Sequence, residues 1–138
     1  MKTNKKKSRK SFIVLMLIFT AFGFNEIKAQ SFSAKDLDGN WIRDDGMGIS
    51  ISGTAIFAEG SKALVMFVGK SGWPESTAHY AYKFQHIKHI SGNTWKATNY
   101  KHRVETGARI ADGEVTFTMS DDKKSFKVTG GSTFRRNQ

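Results

Sequence analysis

From residue 40 onward the chain is a series of short segments of alternating apolar and polar residues, separated by turn residues. "NWIRD" (40–44) reads as a first strand and "DGMG" as its turn. "ISISGTAIF" (49–57) sets Ile49, Ile51, Ala55 and Phe57 on one face, with Gly53 as a bend or bulge. "KALVMFVGK" (62–70) is apolar on both faces, as a central strand can be. "HYAYKFQHIKHISGNTWKATNYKHR" (79–103) reads as two strands joined across "SGN" (91–93). A short strand is expected around Arg109. "EVTFTMS" (114–120) then alternates cleanly, "DDKK" turns the chain, and "SFKVTG" (125–130) and "STFRR" (132–136) follow. Ahead of the first strand, Ser33 with Asp36 three residues later predicts one capped helical turn ending at Gly39.

These segments predict an all-β fold, an antiparallel meander of seven or eight strands with a short helical turn before strand one. A meander exposes unpaired first and last edges unless it closes. About eight strands close into a small barrel just wide enough for side chains or one small ligand. No repeat, linker or low-complexity tail interrupts residues 30–138, which are read as a single domain.

The first thirty residues follow another pattern. "MKTNKKKSRK" is basic, "SFIVLMLIFTAFGF" (11–24) is apolar, and "NEIKAQ" ends the stretch with the small residue Ala29 near its end. A basic region, a short apolar run and a small residue before the cut describe a secretory signal peptide at 1–29. The apolar run is shorter than the roughly 20 residues that span a bilayer. The mature chain is therefore expected to be exported, periplasmic or secreted, with no transmembrane segment. Charge changes with this reading. The whole chain carries 22 basic and 12 acidic residues, of which seven and one lie in 1–29, so the net charge falls from +10 to +4. With no cysteine there are no disulfides, and stability must come from burial and backbone pairing.

A helical turn followed by "GNW" (Gly39, Asn40, Trp41) at the start of strand one is similar to the Gly-X-Trp signature of the lipocalins. Together with the ending "MSDDKKSFKVTGGSTFRR", it resembles small secreted bacterial lipocalin-like proteins over nearly all of residues 33–136. The resemblance implies a calycin-type barrel whose closed end is held by Gly39 and Trp41, with Arg135 or Arg136 packed against the tryptophan. Two departures stand out: the chain is short for that family, and the Thr-Asp pair of its second motif is absent. A Trp-led first strand and a Gly-X-X-Thr-Phe ending are also avidin-like, but Arg43 stands where the biotin site needs Asn.

Candidate chemistry concentrates in 79–103, which holds all four histidines, five Lys or Arg, five aromatic residues and no acid. Strand parity separates His86 from His89, and no cysteine or carboxylate in the stretch completes a metal shell, so no metal or other cofactor is expected. Lys83, Lys88, Lys96, Lys101 and Arg103 form a basic face. For an exported chain at +4 this face disfavours nucleic acid and suits an anionic glycan or envelope component. No nucleophile elbow or phosphate-binding loop is complete, and Asp44–Asp45 and Asp121–Asp122 fall in turns, so an enzyme is not expected. Alternation places Tyr80, Tyr82, Phe84 and His86 together, and with Trp95 and Tyr100 they are expected to line a pocket for a small apolar ligand. The same residues equally suit a filled interior. The alternative function is a non-enzymatic surface-binding or assembly module using the 79–103 face on an anionic glycan or protein partner.

Overall fold

In the computed structural model, which describes residues 31–103 and 105–138, every strand pairs antiparallel with its sequence neighbour and the last pairs with the first. The strands are β1 (Gly39–Arg43), β2 (Gly48–Ser52), β3 (Ser61–Phe67), β4 (Tyr82–Ser91), β5 (Thr94–His102), β6 (Arg109–Met119), β7 (Ser125–Val128) and β8 (Thr133–Arg136). Closure runs through Trp41 opposite Arg136 and Arg43 opposite Phe134, so no strand is left with a free edge. Among the described residues, short helical turns at Ala34–Leu37 and Glu75–Thr77 are the only helical elements and no helix is long and apolar enough to cross a membrane. The expected signal peptide lies outside the described residues.

Two segments depart from simple alternation. The expected strand 49–57 leaves the sheet after Ser52, because Gly53 adopts a φ of 74°. The amides of Ile56 and Phe57 then donate back to its carbonyl in a tight turn. Phe57 therefore sits outside the barrel, not on the face of Ile49 and Ile51. β4 begins only at Tyr82 and its register shifts three times, the last between His89 and Ser91 beside the hairpin turn and the first two at bulges farther in. Ala63 and Leu64 of β3 face Phe84 and Tyr82, which makes Lys83 an extra residue. Farther along, Gln85 and Lys88 face Thr98 and Lys96. The second extra residue is accommodated at His86, whose φ of 53° is left-handed. Each bulge resets which side chains point inward. Gly60 approaches this kink so closely that a Cβ there would lie 2.6 Å from the His86 backbone.

The interior is packed with aromatic rings. Trp41, Phe84, Trp95, Phe117, Phe126 and Phe134 are all at most 1% exposed. Phe126 is central, with ring centroids 4.8 Å from Trp41, 4.8 Å from Phe117 and 5.2 Å from Phe134. Phe84 extends the cluster, 4.7 Å from Phe117. Ile49, Ile51, Ala63, Val65, Ile87 and Ala97 fill the space around them. Of the two interiors that the sequence allows, the structure has the filled one.

Trp41→Ala removes one of these rings together with its indole hydrogen bond. It is expected to lower unfolding free energy by about 3–5 kcal/mol, measured as a shift of the urea midpoint at unchanged slope.

Candidate functional site

The residues expected to line an internal pocket are dispersed. Phe84 and Trp95 point inward, but as packed core. Tyr80 lies in the turn before β4 and is 82% exposed, and His86 faces solvent on its bulge. Tyr82 belongs to an outer groove. The Tyr100 hydroxyl donates to Gln85 at 3.0 Å, and the Arg109 guanidinium stacks 4.0 Å from the Tyr100 ring centroid. The physical reason is the pair of β4 bulges, which break the parity that would have put Tyr82, Phe84 and His86 on one face.

At the end capped by Ala34–Leu37, the structure distinguishes the two arginines. The Arg136 guanidinium lies 4.1 Å from the centre of the Trp41 ring. It donates to the carbonyls of Asp36 (2.8 Å) and Asp38 (3.0 Å). Arg135 points outward and pairs with Asp44. Gly39, at a φ of 136°, makes room for this contact, since a Cβ there would sit 2.7 Å from Nη1 of Arg136. The two buried indoles complete the end: Trp41 Nε1 donates to Leu37 O (2.9 Å) and Trp95 Nε1 to Ala34 O (3.2 Å). Burial disfavours the Asp36 carboxylate, but the Ser33 amide (2.8 Å) and the Lys123 ammonium (3.1 Å) outweigh it and hold its pKa below the ordinary value.

A concavity of about 660 Å³ lies outside the barrel, between the 53–60 connection and the outer faces of β2, β3 and β4. Its wall is a row across three strands, with Ser50 opposite Leu64 and Leu64 opposite Tyr82. The β3 segment that is apolar on both faces thus turns one face to the core and the other, with Leu64, to this groove. Ile56 and Phe57 overhang it, 77% and 57% exposed. Lys62 Nζ stands 4.9 Å from the Tyr82 ring centroid, and Glu59 completes a polar rim. The connection is held down by Thr54, whose hydroxyl lies 2.6 Å from both the Ala34 carbonyl and the Asp38 carboxylate.

The basic face is broken up. Lys88 and Lys96 stand directly opposite each other, but Glu59 and Glu114 share their concavity. Lys101 pairs with Asp112 at 3.0 Å, and Arg103 is exposed. Acid-free in sequence, the hairpin receives its acids from the 53–60 connection and β6. Among the described residues, no three His, Cys, Asp or Glu side chains converge as metal ligands would.

Lys83 is not on that face at all. As the extra residue of a bulge it turns inward at the opposite end of the barrel and is 7% exposed. Its ammonium donates to Asn99 Oδ1 (2.7 Å) and to the Tyr100 carbonyl (2.6 Å). Desolvation, then the nearby Arg43 guanidinium, lowers its pKa to about 8, with Asp112 and Asp45 opposing. A lysine flanked by Tyr82 and Phe84 is the only sequence signal that marks it.

Between about pH 8 and 10.5 the unfolded chain holds a proton on Lys83 that the folded chain has released, so stability rises with pH across that window. A shift of this size corresponds to about 3 kcal/mol in all. Urea unfolding at pH 7, 8.5 and 10 is expected to show this rise for the native chain relative to Lys83→Met. At pH 7 the variant should be at least as stable, because an apolar side chain has no charge to desolvate. A parallel pH profile in both proteins would show that Lys83 is not the group responsible. Compared with protein-family models, with curated proteins and with solved structures, the chain has no significant match, and its barrel is compatible with a lipocalin-like fold on geometry alone.

Proposed function

We propose that the protein is an exported, non-enzymatic binding protein whose small, partly apolar ligand sits in the groove outside the barrel. The observation that carries this reading is the exposure of Ile56 and Phe57 over a concavity of about 660 Å³, while the barrel interior is filled. Small-molecule sites are concave, largely apolar and furnished with a few polar groups, with volumes of about 300–1,000 Å³. Here Phe57, Ile56, Leu64 and Tyr82 offer the apolar contact, and Lys62, Ser50 and Ser52 the polar one. Export is inferred from the basic and apolar pattern of residues 1–29. The non-enzymatic reading is supported by the lack of any complete catalytic motif in the sequence.

Anilinonaphthalene sulfonate, an aromatic dye with one anionic group, fits this description and reports its own burial by fluorescence. Phe57→Ser is expected to weaken its binding by at least about tenfold, a loss of about 1.4 kcal/mol. Stability should stay within about 0.5 kcal/mol, because the ring is exposed. Equal binding by the native protein and the variant would move the ligand away from this groove.

A further inference from the structure

The groove leaves the far end of the barrel unexplained. There, a cavity of about 200 Å³ is lined by Lys83 and Arg43, by the apolar side chains of Phe84, Val115, Val128 and Phe134, and by the hydroxyl-bearing Thr129 and Ser132 at its edge. The two cations are not equivalent. Arg43 is neutralised by a bidentate pair with Asp45, at 3.0 and 2.5 Å. Lys83 has no carboxylate within ion-pair distance among the described residues, and both of its acceptors are neutral. An ammonium carries three donors, so one is left over, with only the Phe84 and Trp73 rings, 5.2 and 5.6 Å away, to offset its charge further. Removing a cation from water without a counter-charge is costly, and packing alone does not explain it, since a methionine would fill the same space without that cost.

We propose that this end of the barrel binds a small organic carboxylate, its anionic group on the Lys83 ammonium and its apolar body against Val115 and Val128 at the cavity mouth. The charge is matched: with Arg43 already paired, one negative charge neutralises the cavity and a dianion exceeds it. Size is matched too. An apolar cavity of about 150 Å³ holds benzene, so about 200 Å³ takes a molecule of benzoate or butyrate dimensions. A fatty acid chain has nowhere to go, because the aromatic core closes the barrel beneath Phe84. The walls disfavour inorganic phosphate, which has no apolar body to set against them. Hydrogen bonds to an ionised partner are roughly twice as strong as neutral ones, so the carboxylate is distinguished from its amide analogue. This site is independent of the outer groove, and each stands if the other fails.

The test compares benzoate, benzamide and inorganic phosphate on the native protein by isothermal titration, with the Lys83 ε-methylene followed by NMR. Benzoate is expected to bind at least about tenfold more tightly than benzamide and to shift the Lys83 resonance, with no binding of phosphate. Benzoate affinity should fall by about tenfold per pH unit once the free ammonium, whose pKa is about 8, loses its proton. The charged groups that act on it are Arg43, Asp112 and Asp45, and Lys83→Met controls for their contribution to the profile. In that variant the preference for benzoate over benzamide should vanish. Should Lys83→Met fail to fold, the comparison of the two ligands on the native chain decides alone. Equal affinities, tight phosphate binding, or an unmoved Lys83 resonance at saturating benzoate would each overturn the proposal. Phe57→Ser should leave benzoate binding intact, which separates this site from the groove.

Discussion

The structure depends on how the carbonyls of a four-residue helical turn are satisfied inside a closed sheet. Ala34–Leu37 is so short that, although the Asp38 amide meets the Lys35 carbonyl, backbone pairing does not satisfy all of its carbonyls, and it sits where the barrel end would otherwise open to water. Four side chains, one local and three from farther along the chain, meet its carbonyls and that of Asp38: the indoles of Trp41 and Trp95, the Thr54 hydroxyl and the Arg136 guanidinium. These are donors whose remaining surface is apolar or planar, so each contributes to packing and hydrogen bonding at once. Gly39 is required for the same reason, because any side chain there would occupy the volume of the guanidinium. The Gly-X-Trp pattern thus has a physical account in this chain, independent of any family relationship.

With that end sealed and six aromatic side chains below it, the centre of the barrel is filled, and its candidate binding surfaces lie outside the sheet and at the far mouth. Both depend on irregularities in strands. The groove exists because Gly53 ends β2 early and throws Ile56 and Phe57 outward. The cation at the open end exists because a bulge in β4 inserts Lys83 between Tyr82 and Phe84. Regular alternation would have produced neither. Bulges commonly re-aim side chains beside functional sites, and here two of them lie in one strand within a few residues.

The division between what was legible in the sequence and what was not follows the same line. Alternation in 114–120 and 125–130, the turn residues between segments, and the helical turn before Trp41 were enough for a closed meander of seven or eight strands, of which the structure has eight. The capped end was implied by the resemblance that "GNW" carries, while strand parity left Arg135 and Arg136 equal. Strand 79–90 defeated the reading, because a bulge is set by the partner strand and by neighbours such as Gly60 pressing on the His86 backbone. No property of Lys83 or His86 alone records that. Likewise, the absence of acids in 79–103 was a property of the hairpin, whereas Glu59, Asp112 and Glu114 arrive from elsewhere in the fold. The second apolar face of β3 was a visible signal of the outer groove, and it reads equally well as a central strand.

Arg136 has a consequence for the order in which the molecule is assembled. Its guanidinium reaches back 100 positions to Asp36, and its strand supplies the pairing that closes the barrel onto β1. The helical turn and β1 emerge first from the ribosome, yet their partners are synthesised last. Contacts this distant in sequence form late and slow folding. Until they form, the aromatic side chains of β1 to β7 have no sealed interior to occupy. The chain is thus held back from its native state until its C-terminal strand is made and can close the sheet onto β1.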